Sequence, residues 1–83
     1  MTKQDKLIVA LKESKNTFEW TKLLSLMNFL GYRLIERAGS RVVFIHQEDE
    51  SDRLHLHKPH PENYIKGGAL KAVKLYLKEK GRI

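Results

Sequence analysis

Apolar positions recur along this chain with two different periods, and the change of period divides it. Between Lys3 and Glu13, Leu7, Ile8 and Leu11 fall at i, i+1 and i+4, which predicts a short helix with a narrow apolar stripe. Ser14 to Thr17 interrupts it. Thr17 suits an N-cap, and a second helix is predicted from Phe18 to about Leu30, with Gly31 where helices take a left-handed cap. Trp20, Leu23, Leu24, Met27 and Leu30 share one broad face of that helix. Phe18, Leu26 and Phe29 share a second face, too apolar for open water, which the first helix is expected to cover.

The period then shortens to two. Tyr32 to Arg37 reads as a strand, Ala38-Gly39-Ser40 as a tight turn, and Arg41 to His46 as the hairpin partner. Gln47 to Asp52 is acidic and polar, and is read as a solvated loop. Arg53 to His57 is a third strand, ended by Pro59 and Pro61. Gly67-Gly68 opens onto a last helix from about Ala69 to Lys80, with Gly81 after it. Leu70, Val73 and Leu77 form its core stripe, joined by Ala69 and Tyr76, while Lys71, Lys74 and Lys78 occupy a solvated side. The expected fold is α+β in the order α-α-β-β-β-α. A three-stranded antiparallel sheet has helices on one face, because no element remains to cover the other.

At 83 residues the chain is expected to form one domain, residues 1–83, with 1–14 as an additional N-terminal helix. Cysteine is absent, which excludes disulfides and thiolate metal sites and fits a reducing compartment. No stretch approaches the roughly 18 apolar residues of a membrane span, and the short Leu7–Leu11 segment is too little for a signal peptide. A soluble cytoplasmic protein is the expectation. Sixteen Lys and Arg against ten Asp and Glu give a formal charge of +6. That excess favours a polyanionic partner, since neutralised phosphates release condensed counterions. An acidic protein would satisfy the same charge.

Successive strand side chains alternate between faces, so the core residues identify their outward neighbours. With Tyr32, Leu34, Val42, Phe44, Leu54 and Leu56 inward, the outward set is Arg33, Ile35, Arg37, Arg41, Val43, Ile45, Arg53, His55 and His57. Arginine forks match phosphate geometry, and histidine serves proton transfer near neutrality. RNA cleavage without a metal needs a base for the 2′-OH, an acid for the 5′-oxygen and a cation beside the phosphorane. His57 and His55 are the candidates for acid and base. Arg41 and Arg53 are candidates for the phosphate, Arg33 and Arg37 for further RNA contact, and Lys58 and His60 for flanking the substrate. Surface histidines without a catalytic role are the plain alternative. The spacing His55-x-His57-x-x-His60 also permits a zinc reading, but its second-shell carboxylates could come only from the loop of Glu48, Asp49 and Glu50, so no metal or other cofactor is expected. Ile35, Val43 and Ile45 suggest a face covered by a partner protein, or packing beside arginine stems.

Several short segments resemble the HicA-type toxins: Leu30-Gly31-Tyr32, Gly39-Ser40 before an apolar strand ending at Phe44, His57-Lys58-Pro59-His60-Pro61, and Gly67-Gly68-Ala69-Leu70. The resemblance covers about Phe18 to Ile83. It implies a double-stranded-RNA-binding-domain-like fold and an mRNA-cleaving toxin whose active site a HicB-type antitoxin blocks. In many HicA toxins a histidine directly follows the Gly-Ser turn and is thought to be catalytic, whereas Arg41 stands there in this chain. Either a histidine of the His57–His60 segment has taken over proton transfer, or the domain binds RNA without cutting it. The N-terminal helix is an addition to the minimal toxin, as a brace for the next helix or a homodimer contact.

Overall fold

Thr2 starts the first helix, α1 (Lys3–Glu13), through a capping box in the computed structural model, which describes residues 2–83. The Asp5 amide donates to the Thr2 hydroxyl at 3.2 Å, and the Thr2 amide donates to the Asp5 carboxylate at 3.4 Å. Leu11 of α1 is fully buried, and Leu7 and Ile8 pack partly buried against the core. The helix lies against α2 (Trp20–Phe29) and braces it, so its apolar stripe is used within the chain.

Thr17 does not cap α2. Thr17–Glu19 is instead a strand, β1, paired antiparallel with β5 (Tyr64–Lys66), with Phe18 opposite Ile65. Both of those side chains are buried, while Thr17 and Glu19 face solvent. The alternation is too short to signal a strand locally. Its partner lies some 45 residues onward, so long-range pairing overrides the local capping signal. Glu19 takes the N-cap position without a side-chain bond, and the Trp20 amide donates to the Asn63 carbonyl at 2.7 Å.

Trp20, Leu23, Leu26 and Met27 of α2 are buried; Leu24 is half-buried and Phe29 is largely exposed. Gly31, at φ +92°, ends the helix in the expected left-handed conformation. A Cβ there would stand 2.9 Å from Nε2 of His46, so glycine is required on two grounds.

The main sheet is β2 (Tyr32–Glu36), β3 (Arg41–His46) and β4 (Asp49–His57) in that order, all antiparallel. Tyr32, Val42, Phe44, Leu54 and Leu56 face the helices, and Trp20 packs on Phe44 with ring centroids 6.1 Å apart. Leu34 shares their phase opposite Phe44, but at the sheet edge it stays 37% exposed. The third strand begins four residues earlier than expected, since Asp49–Asp52 belong to β4 beyond a register shift at Ile45/His46. Asp52, assigned by its acidic neighbours to a solvated loop, is 1% exposed.

The last helix, α3 (Gly67–Glu79), buries Leu70, Val73 and Leu77. Ala69 is exposed rather than part of the stripe. Lys74 is half-buried, with its ammonium donating to the Ser14 carbonyl, and so does not belong to an open face. After α3 the Gly81 amide donates to the Lys78 carbonyl and the Arg82 amide to that of Leu77, which is a Schellman cap. That cap turns Arg82 back over the sheet. The result is an α+β fold of the double-stranded-RNA-binding type, carrying the extra β1–β5 ribbon. Among the described residues no helix is long and apolar enough to cross a membrane.

Candidate nucleic-acid interface

The face of the sheet turned away from the helices carries three cross-strand rungs. Arg33, Ile45 and Arg53 form the first; Ile35, Val43 and His55 the second; Arg41 and His57 the third, with Arg37 beside Arg41. All four arginines and both histidines are exposed. Cross-strand partners such as Arg41 and His57 have Cβ atoms about 5 Å apart, and the outer rungs lie about 13 Å apart along the strands.

The hairpin turn shapes one end of this face. Gly39 and Ser40 both have positive φ, +69° and +64°, as the two central residues of a primed hairpin turn require. Nε of Arg41 donates to the Ala38 carbonyl at 3.1 Å, which fixes the root of the guanidinium and leaves its Nη groups for a ligand. The Lys58 amide donates to the Ser40 carbonyl at 2.7 Å and ties the end of β4 to the turn. Between these segments runs a groove of about 470 Å³ lined by Arg37, Arg41, His55 and His57 over Val42 and Leu56. A second hollow adjoins it, bordered by Ser40, Arg41 and Lys58. Lys58 sits 3.8 Å from Glu36, an exposed pair of little strength.

The groove therefore gathers Arg37, Arg41, His55 and His57. Arg33 and Arg53 stand at the far end of the face, with Nε of Arg53 donating to the Glu50 carbonyl at 2.6 Å, and neither lines the groove. His60 lies in the exposed connection to β5, also outside the groove. Among the described residues no three histidine or carboxylate side chains converge on a common point, so His55, His57 and His60 do not form the three-ligand zinc site their spacing permits.

Ile35, Val43 and Ile45 do not offer the apolar docking surface expected of them. Val43 is 0% exposed and Ile45 3%, and Ile35 is half-buried. On the central strand Ile45 lies between Arg33 and Arg53, and Val43 lies between Ile35 and His55.

Two polar residues without a part in the groove hold its scaffold. His46 is buried, accepts from the Glu48 amide at Nδ1 and bonds the Leu30 carbonyl through Nε2, which is the Nε2-protonated tautomer. Asp52, behind the sheet, accepts from the Tyr32 hydroxyl at 2.8 and 2.9 Å, from the Tyr76 hydroxyl, and from the Arg82 guanidinium at 2.8 Å. Burial pushes the Asp52 carboxyl up, but the Arg82, Tyr76 and Tyr32 donors outweigh it and hold it below the usual range. Burial and the same carboxylate push both tyrosines up.

The model of the family described as HicA toxin of bacterial toxin-antitoxin matches residues 20–81, about three quarters of the chain. The chain belongs to the HicA toxin family. It is thus a toxin of a toxin–antitoxin system, with an antitoxin as the corresponding kind of partner. No curated protein and no solved structure matches it significantly. The match begins at Trp20, which leaves α1 and β1 outside the family's span. The toxin's groove lies wholly inside it.

Proposed function

We propose that the toxin is an endoribonuclease that cuts mRNA in the groove by acid–base catalysis without a metal, and that a HicB-like antitoxin inactivates it by covering that groove. The observation that carries this reading is the pairing of Arg41 with His57 across β3 and β4, beside His55 and Arg37 on an open sheet face. His55 and His57 are two residues apart on one face, about 7 Å along the strand, which leaves room for a phosphate between their rings. One imidazole takes the 2′-OH proton as that oxygen attacks phosphorus. The other gives a proton to the departing 5′-oxygen. Arg41 and Arg37 balance the charge that builds on the phosphorane oxygens. The products are a 2′,3′-cyclic phosphate and a 5′-hydroxyl, with no water consumed in the step.

A second reading rests on one residue. Arg41 occupies the position after the Gly-Ser turn, and an arginine there holds a phosphate but transfers no proton near neutrality. On this reading the same groove binds RNA without cutting it. Incubating the protein with end-labelled mRNA in excess chelator separates the two: cleavage with cyclic-phosphate ends supports the nuclease, and an intact but retarded RNA supports the binding domain.

With Val43 and Ile45 covered, an antitoxin would be held chiefly by the arginine face. Its docking is then salt-sensitive, as RNA binding is.

A further inference from the structure

Five of the lysines gather away from the arginines' face. Lys12 and Lys15 at the end of α1 meet Lys71, Lys74 and Lys78 of α3 across a trough on the helical side. Its two parts, about 570 and 350 Å³, adjoin at Lys12 and Lys74, with Leu70 lining the first and Ile83 the second. Glu13 is the one acidic side chain in the lining, and among the described residues none of the five lysines forms an ion pair.

Helix-end electrostatics account for part of the cluster. The Lys74 ammonium donates to the Ser14 carbonyl just past α1, and Lys12 lies in the last turn of that helix, where a cation is favoured. Lys78 likewise lies in the last turn of α3, whereas Lys15 and Lys71 have no such duty; all three are exposed. Lys71, Lys74 and Lys78 stand at i, i+3 and i+7 on one stripe of α3, where like charges repel. A trough with five lysines and one acidic side chain fits a polyanion, and its lysines act as point charges suited to a backbone, without the planar match that arginine gives.

We propose that this trough is a second RNA site, which takes the phosphate backbone of a strand away from the arginine groove. It rests on the reading of the toxin as an RNA-binding protein. The Lys12 and Lys15 side is built by the chain's N-terminal addition, outside the family's matched span.

The test uses a 20-nucleotide RNA methylated at every 2′-oxygen, which cannot be cut through its own 2′-OH, and fluorescence anisotropy over a range of salt. The variants are Lys15→Gln/Lys71→Gln/Lys78→Gln, the same three positions changed to Arg, and Arg37→Gln/Arg41→Gln. The glutamine triple is expected to lower the slope of log affinity against log salt by about 2, at about 0.7 per lost contact, while the arginine triple keeps the parent slope. An unchanged slope in the glutamine triple overturns the proposal, as does an equal loss in the arginine triple. If the sheet-face pair lowers affinity and the lysine triple does not, the trough fails and the groove stands. If the lysine triple alone lowers affinity, the trough stands and the groove reading falls.

Discussion

Replacing Asp52 by alanine removes the carboxylate on which β2, β4, α3 and the C-terminal segment converge. Its side chain is buried and accepts from three donors at once. The Tyr32 hydroxyl, on a residue 4% exposed, would lose its acceptor without gaining water, at a cost of about 1–3 kcal/mol. Arg82 keeps 31% of its side chain in solvent and can turn outward, so its loss adds about 1 kcal/mol or less. Tyr76 is half-buried and adds an amount of the same order. The sum is about 3 kcal/mol, against a total of roughly 4–12 kcal/mol for a domain of this size. It corresponds to a fall in Tm of roughly 12–24 °C. Asp52→Asn, which retains an acceptor and the shape, should lose about half as much. Urea unfolding followed by circular dichroism reads the difference as a shift in midpoint at constant slope. A loss under about 1 kcal/mol for Asp52→Ala would refute the account of this cluster.

The same cluster has an acid signature: its folded carboxyl lies below the ordinary 3.8, so its contribution is complete above that value and is lost as pH falls through the folded one. The stability gap between the parent and Asp52→Asn should therefore narrow in acid melts below about pH 4. Gly31→Ala meets both a positive φ and the His46 ring, and should destabilise by about 2 kcal/mol in the same unfolding assay. Phe18→Ala removes one of the two buried side chains of the β1–β5 ribbon and should cost about 3–5 kcal/mol in the same assay.

Much of the fold was legible because it is written in local period. Leu70, Val73 and Leu77 in α3, and the alternation through Val42, Phe44, Leu54 and Leu56, each carry their own signal. The β1–β5 ribbon was not legible, because a three-residue strand has too few positions to show a period and its partner is remote. Asp52 was hidden by composition. Yet Asp52, Leu54 and Leu56 share one phase of β4, and extending the alternation back by one step would have turned that carboxylate inward. The basic sheet face was visible from alternation alone. Its division into a groove end at Arg37 and Arg41 and a far end at Arg33 and Arg53 depends on register and on the turn, which sequence does not give. The burial of Val43 and Ile45 was also beyond it, since alternation assigns a face and not a residue's exposure on it.

The measurement that bears most directly on the central claim is cleavage of a labelled mRNA in excess chelator by the parent, His57→Ala and Arg41→Gln. The account predicts parental cleavage, a rate lowered roughly 10²–10⁴-fold in His57→Ala, and weakened cleavage in Arg41→Gln. Cleavage at the parental rate by His57→Ala would contradict the assignment of proton transfer to the groove.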